Sequence, residues 1–223
     1  MPKKLEIAVG IATIVGVAIA VIALIPAFGE WLRPRESSST IRATLVSPTT
    51  EHPTPDGQLF SDNFDDGNAN KWMDVLEQDS HADVQNGEYI LNGSGFVYAG
   101  SNLWENYSVR AKVRLISGEG DFGIVVRVKN FGTLYICQHW KDEVWLNKYG
   151  VNSNERLDIG YYDPVPGESY DLKMDVQDQT ISCYINGLEV AAAEDTSYTN
   201  GKFGFRIVNT KIAIDNVEVY LLP

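Results

Sequence analysis

A surface that holds a sugar needs exposed aromatic rings on which the pyranose or furanose can lie, flanked by planar polar groups that bond its hydroxyls. One part of this sequence has that content. In Val144-Trp145-Leu146-Asn147-Lys148-Tyr149 the alternation makes Val144 and Leu146 core positions and turns Trp145, Asn147 and Tyr149 the other way. In 122–129, Ile124, Val126 and Val128 share one parity, which leaves Arg127 on the opposite face. The stretch between them is ambiguous, with Tyr135, Cys137 and His139 on one face and Ile136, Gln138 and Trp140 on the other.

Other chemistries find less support. The chain has three histidines and neither Gly-x-Ser-x-Gly nor His-Glu-x-x-His. Gly118-Glu119-Gly120-Asp121-Phe122-Gly123 formally satisfies a dinucleotide-binding pattern. A strand follows it where a helix is needed, and two carboxylates stand where pyrophosphate would bind. Asp171 and Asp175 occupy the wet side of an alternating run. Cys137 and Cys183 are too far apart in sequence for a metal hook; they read as buried free thiols, with a disulfide across a sandwich as the alternative.

The elements that must position these residues have a period of two. Tyr107 to Leu115 and Tyr170 to Val176 alternate apolar with polar, as do Ile181, Cys183 and Ile185 and then Phe203, Phe205 and Ile207. No helical period appears after Leu59. Asn86-Gly87 and Asn186-Gly187 each separate two strand-like runs and predict hairpins with type I′ turns. In the last run Ile212 and Ile214 have one parity and Val217, Val219 and Leu221 the other, which predicts a bulge near Asp215-Asn216. Short strands at about ten-residue spacing over residues 59–223 give an all-β fold, a two-sheet antiparallel β-sandwich or jelly roll.

Neighbouring chain ends in such a sandwich would bring Asp62, Asp65 and Asp66 near Asp215, a hard-oxygen set that suits calcium. The EF-hand pattern fails, because Phe64 holds its third position and Met73 its twelfth.

Upstream of the sandwich the chain changes character. Residues 7–28 carry no charge, and at 1.5 Å per residue a helix over them would span about 33 Å, the thickness of a bilayer core. After a short tail, 1–6, this run is expected to be a transmembrane helix acting as an uncleaved signal anchor, with Trp31 at the interface and the C-terminal domain extracellular. Residues 29–58, rich in Ser, Thr and Pro, are expected to form an extended linker. Of the 223 residues, 18 are Lys or Arg and 30 Asp or Glu, a net charge of −12. The part before residue 59 is electroneutral, so all of the excess lies in the sandwich. Such acidity excludes nucleic acid and favours a neutral glycan, or calcium, over a polyanion.

Leu59-Phe60-Ser61-Asp62-Asn63-Phe64, Trp72, Val84 to Tyr89, Phe122 to Arg127, Tyr184-Ile185-Asn186-Gly187, Gly201 to Gly204 and Ile214 to Val217 follow one another in the order typical of one superfamily. The domain resembles the concanavalin A-like lectin and glucanase sandwich, in the branch with laminin G-like and 3-keto-disaccharide hydrolase-type domains. That resemblance implies a curved two-sheet sandwich that binds sugar on its concave sheet. It also implies a buried Cys137, so that Arg127, Gln138, Trp140, Trp145 and Tyr149 share the concave face, and a structural calcium at the edge of Asp62, Asp65 and Asp215. The Glu-x-Asp-x-x-Glu strand motif of the retaining glucanases is not present; Glu168, Asp171 and Asp175 have the wrong spacing. The expected function is a membrane-anchored, extracellular, non-catalytic carbohydrate-binding module. The alternatives are a glycan-acting hydrolase of the 3-keto-disaccharide type and a laminin G-like interaction domain.

Overall fold

The computed structural model describes residues 57–130 and 132–223. The tail 1–6, the span 7–28 and the linker 29–58 up to residue 56 lie outside them. The described residues form twelve strands: β1 (Gln58–Asp62), β2 (Met73–Leu76), β3 (His81–Gln85), β4 (Glu88–Ala99), β5 (Tyr107–Asn130), β6 (Thr133–Trp140), β7 (Glu143–Gly150), β8 (Ser153–Tyr161), β9 (Ser169–Gln177), β10 (Thr180–Ile185), β11 (Leu188–Glu194) and β12 (Lys202–Leu221).

All pairings are antiparallel, and three strands carry the ladder from one layer to the other. The first half of β5 pairs with β9, and its second half with β6. Along β12, residues 211–221 pair with the first half of β5 and residues 202–208 with the second. β4 follows β12 through the same crossing. One layer therefore runs β11-β10-β9-β5-β12-β4-β3, with β1 beside the end of β12, and the other runs β8-β7-β6-β5-β12-β4-β2. At the crossing the β5–β12 register shifts between Val208 and Thr210, and Asn209 takes φ 49°. Residue 120 must be glycine there, because a Cβ would stand 1.6 Å from the Val208 carbonyl oxygen.

The predicted alternation sets the core. Val109, Ala111, Val113, Ile212 and Ile214 from the first layer pack with Ile124, Val126, Tyr135, Leu146, Phe203 and Phe205 from the second, all buried. Each large side chain so buried contributes roughly 1.5–3 kcal/mol. Both predicted hairpins form with the paired positive φ of type I′ turns, 54° and 77° at Asn86-Gly87 and 51° and 79° at Asn186-Gly187. The last strand bulges where its parity demands, between Asp215 and Glu218 with Asn216 at φ 49°, which keeps Ile214, Val217 and Val219 inside. Leu221, by contrast, is exposed. Cys183 is buried and Cys137 half-buried, both as free thiols. Burial and the Cys137 sulfur push the Cys183 thiol well above its ordinary value, which keeps it protonated and unreactive.

Candidate functional site

The outer face of the second layer gathers most of the sugar-binding candidates. Register places Trp145 of β7 opposite Gln138 of β6, Gln138 opposite Gly123 of β5, Gly123 opposite Arg206 of β12, and Arg206 opposite Phe96 of β4. These five positions form one row across the sheet. Position 123 must be glycine because a Cβ would stand 2.0 Å from the Cys137 carbonyl oxygen, and Gln138 and Arg206, on the strands either side of it, meet: Arg206 Nη1 donates to Gln138 Oε1 at 3.2 Å. Asp121, one step along β5, completes the floor. Its Oδ2 accepts from Gln138 Nε2 at 2.6 Å and its Oδ1 from Arg206 Nη1 at 2.9 Å. The Tyr149 hydroxyl reaches Gln138 Oε1 at 3.5 Å, and the Arg206 guanidinium lies 5.7 Å from the Phe96 ring and 5.8 Å from that of Tyr149.

This floor is polar yet largely withdrawn from water, since Asp121 is 5% and Gln138 2% exposed. Burial raises the Asp121 carboxyl above its ordinary value, and Arg206 pulls it part of the way back. Burial likewise raises the Tyr149 phenol. The pair Asp121 and Arg206 is neutral as a unit and offers planar donor and acceptor edges rather than a net charge.

Beside the floor stands an aromatic stack. The rings of Trp140 and Trp145 are 5.1 Å apart at 18°, and the Arg156 guanidinium of β8 sits 3.8 Å from the Trp145 ring. β7 runs between β6 and β8, so Trp145 is held between Trp140 on one side and Arg156 on the other. Its indole N–H donates to Glu143 Oε2 at 2.7 Å. Trp145 is thus the support of the stack, and Trp140, 40% exposed, presents the open ring.

Four of the five residues expected to share this face therefore do so: Gln138, Trp140, Trp145 and Tyr149. The structure does not bring Arg127 there. A register irregularity after Val126, with Arg127 itself at φ 50°, breaks the alternation and turns the side chain towards the end of the sandwich. There its Nε and Nη2 donate to the Glu105 carbonyl at 3.3 and 3.1 Å and its Nη1 to the Tyr198 carbonyl at 3.0 Å. Sequence reasoning missed Asp121 and Arg206. The alternation of Phe203, Phe205 and Ile207 already turned Arg206 outward, but only the pairing of β5 with β12 brings it to Asp121.

The carboxylates expected to hold calcium have hydrogen-bond partners of their own. Asp62 is buried with its oxygens engaged, Oδ1 by the Phe64 N–H at 3.3 Å and Oδ2 by the Trp72 indole at 3.0 Å. Asp65 Oδ2 accepts from Asn63 Nδ2 at 2.6 Å, and both Asp215 oxygens accept from Asn216. Among the described residues no three His, Cys, Asp or Glu side chains converge to hold a metal. Asp171 and Asp175 stand on the first layer, paired with Arg110 and Lys173.

No protein-family model matches the chain, and no curated protein matches its sequence. Solved structures do. The chain is similar to a carbohydrate-binding module, CBM66, from Bacillus subtilis, at 15% identity and TM-score 0.61 over 67% of this chain and 95% of that one. It is also similar to a Bacillus licheniformis β-glucanase, at 14% identity and TM-score 0.56 over 76% and 100%. A Bacillus subtilis protein with a galectin-like fold aligns at 14% identity and TM-score 0.57 over 74% and 96%. The chain has the jelly-roll sandwich fold found in carbohydrate-binding modules and glycosidases.

Proposed function

We propose that this chain is a membrane-anchored, extracellular, non-catalytic carbohydrate-binding module whose ligand lies across the outer face of the second layer. The observation that carries the reading is the junction of the open Trp140 ring with the Asp121, Gln138 and Arg206 floor, an apolar platform beside fixed planar hydrogen-bonding groups. The charge balance of that floor supports a neutral glycan. Binding is favoured over hydrolysis because both Asp121 oxygens are held by Gln138 and Arg206, and Glu143 by the Trp145 indole. The uncharged run 7–28 supports the anchor and the Ser/Thr/Pro-rich linker the outward display.

A panel of neutral polysaccharides tests the reading. The full chain should retain at least one of them and release no reducing sugar, and Trp140→Ala should bind about tenfold more weakly, a loss of about 1.4 kcal/mol. Unchanged binding by Trp140→Ala would sink the site. Protease accessibility of the C-terminal domain on intact cells tests the topology; complete protection would reverse it.

A further inference from the structure

A second cavity lies away from the aromatic face. It has a volume of about 320 Å³ and is lined by Glu105, Asn106, Arg127, Asp178, Gln179, Thr196 and Thr199. Three connections build it, those between β4 and β5, β9 and β10, and β11 and β12, and they are tied to one another. The Asn106 and Asp178 side chains bond each other's segments, with Asn106 Nδ2 to Asp178 Oδ1 at 3.2 Å and the Asp178 N–H to Asn106 Oδ1 at 2.8 Å. The Asp195 N–H donates to the Gln179 carbonyl at 2.8 Å, and Asn200 Nδ2 to the Asn102 carbonyl at 2.9 Å. Asp195 pins the third connection again through the Tyr135 hydroxyl and Lys148. The rim is preorganised, and its ordering cost does not fall on a ligand.

Arg127 makes this cavity unusual. It is 1% exposed, among the largest fully buried side chains, and it sits in a left-handed backbone conformation that a non-glycine residue adopts at a cost of roughly 1–3 kcal/mol. Its guanidinium meets only backbone carbonyls; among the described residues no carboxylate lies within 4 Å of it. Those bonds use three of its five N–H groups. Burying an arginine with donors to spare and no ion pair is costly for the fold alone.

We propose that this loop-end cavity is a second binding site, specific for one neutral sugar residue, with the buried Arg127 beneath it holding the Glu105 and Tyr198 carbonyls and so fixing two of the connections that form its rim. The rim supplies the acceptors such hydroxyls need, in the Glu105 and Asp178 carboxylates and the Asn106 and Gln179 amides, with Thr196 and Thr199 able to donate or accept. Two carboxylates against one guanidinium leave the lining at net −1, which repels a carboxylated or sulfated ligand. The volume sits at the small end of ligand pockets, about 300–1,000 Å³, and fits one ring. This site is independent of the Trp140 face.

Amide chemical shifts of the isotopically labelled full chain, titrated with glucose, galactose, mannose, xylose, arabinose and fructose and with their methyl glycosides, test it. At least one sugar should shift the amides of Glu105, Asn106, Asp178, Gln179, Thr196 and Thr199. Gln179→Ala with Thr199→Ala, both on the exposed rim, should weaken that response about tenfold, and Trp140→Ala should leave it intact. Binding of methyl glycosides identifies a chain end as the ligand, and binding of free sugars alone identifies a monosaccharide. Three results overturn the proposal: no shift at these amides with any sugar, a response unchanged by the rim variant, or stronger binding of glucuronate than of glucose. Loss of the response in Trp140→Ala would return the binding to the outer face.

Discussion

The first layer and the second share β5 and β12, and the two outer faces of those strands are filled in opposite ways. On the first layer Arg110 and Arg114 of β5 meet Asp171 of β9 and Glu88 of β4 at 3.3 and 2.5 Å. In the Arg110 pair the side chains are 47% and 49% exposed. On the second layer Arg206 of β12 meets Asp121 of β5 at 2.9 Å with 18% and 6% exposure, beside aromatic rings. The same kind of ion pair is a solvated lattice on one side and a desolvated floor on the other. What separates them is their surroundings: Arg206 lies beside the Phe96 and Tyr149 rings, whereas among the described residues no ring is recorded over Arg110 or Arg114, whose pair with Glu88 keeps 31% and 32% exposure.

The largest test of that contrast is the removal of one arginine from each face. Arg206→Ala leaves the Asp121 carboxylate buried without its partner and should cost about 3 kcal/mol. Arg110→Ala removes an exposed pair that water already screens and should cost about 0.5 kcal/mol or less. Urea denaturation midpoints read both, and similar losses would mean that the two faces do not differ in kind. Next in size is the division of labour within the stack. Trp145→Ala removes the ring that Trp140 and Arg156 both pack against, so it should lower stability by about 1–2 kcal/mol as well as weakening glycan binding. Trp140→Ala should weaken binding and leave the melting temperature within a degree or two of wild type. A Trp140→Ala protein as unstable as Trp145→Ala would make the open ring a packing residue.

The same contrast decides how much was legible in the sequence. The first face obeys local rules. The alternation of Ser108, Arg110, Lys112 and Arg114 against Val109, Ala111 and Val113 is enough to predict an outward basic row, and the carboxylates that pair with it are ordinary neighbours. Hairpins with Asn-Gly turns and the bulge at Asn216 were equally local, since each depends on a few residues whose φ preferences are known. The second face depends on pairings far apart in sequence. Asp121 and Arg206 are separated by 85 positions and become partners only through the β5–β12 register. Trp145 read as an exposed platform, because alternation gives a face and not what covers it; Arg156 and Trp140 come from the strands on either side. Arg127 is the sharpest case. Its neighbours Val126 and Val128 fix its parity only if the strand is regular, and an arginine gives no hint of the left-handed conformation that a glycine or asparagine would have signalled. The long strands that bend through both layers were also invisible, since Gly118-Glu119-Gly120 resembles a loop when the carbonyl of Val208 that forces glycine at 120 lies nearly ninety residues downstream.

Acidification gives the smallest and most selective probe. Burial raises the Asp121 carboxyl above its unfolded value, so the folded protein takes up that proton before the unfolded chain does. A group of this sign contributes stability that is complete below the unfolded value of about 4 and is lost as pH rises through the folded one. Relative to Asp121→Asn, which cannot titrate, the wild type should therefore gain stability as pH is lowered from 7 towards 4, by a fraction of a kcal/mol read from paired urea titrations. Protonation also weakens the Arg206 pair that fixes the floor, so glycan affinity should fall over the same interval while Asp171→Asn, on the first face, tracks wild type throughout. A stability difference between wild type and Asp121→Asn that stays flat with pH would show that the carboxylate is better solvated than its 5% exposure implies, and the distinction between the two faces would then rest on the aromatic stack alone.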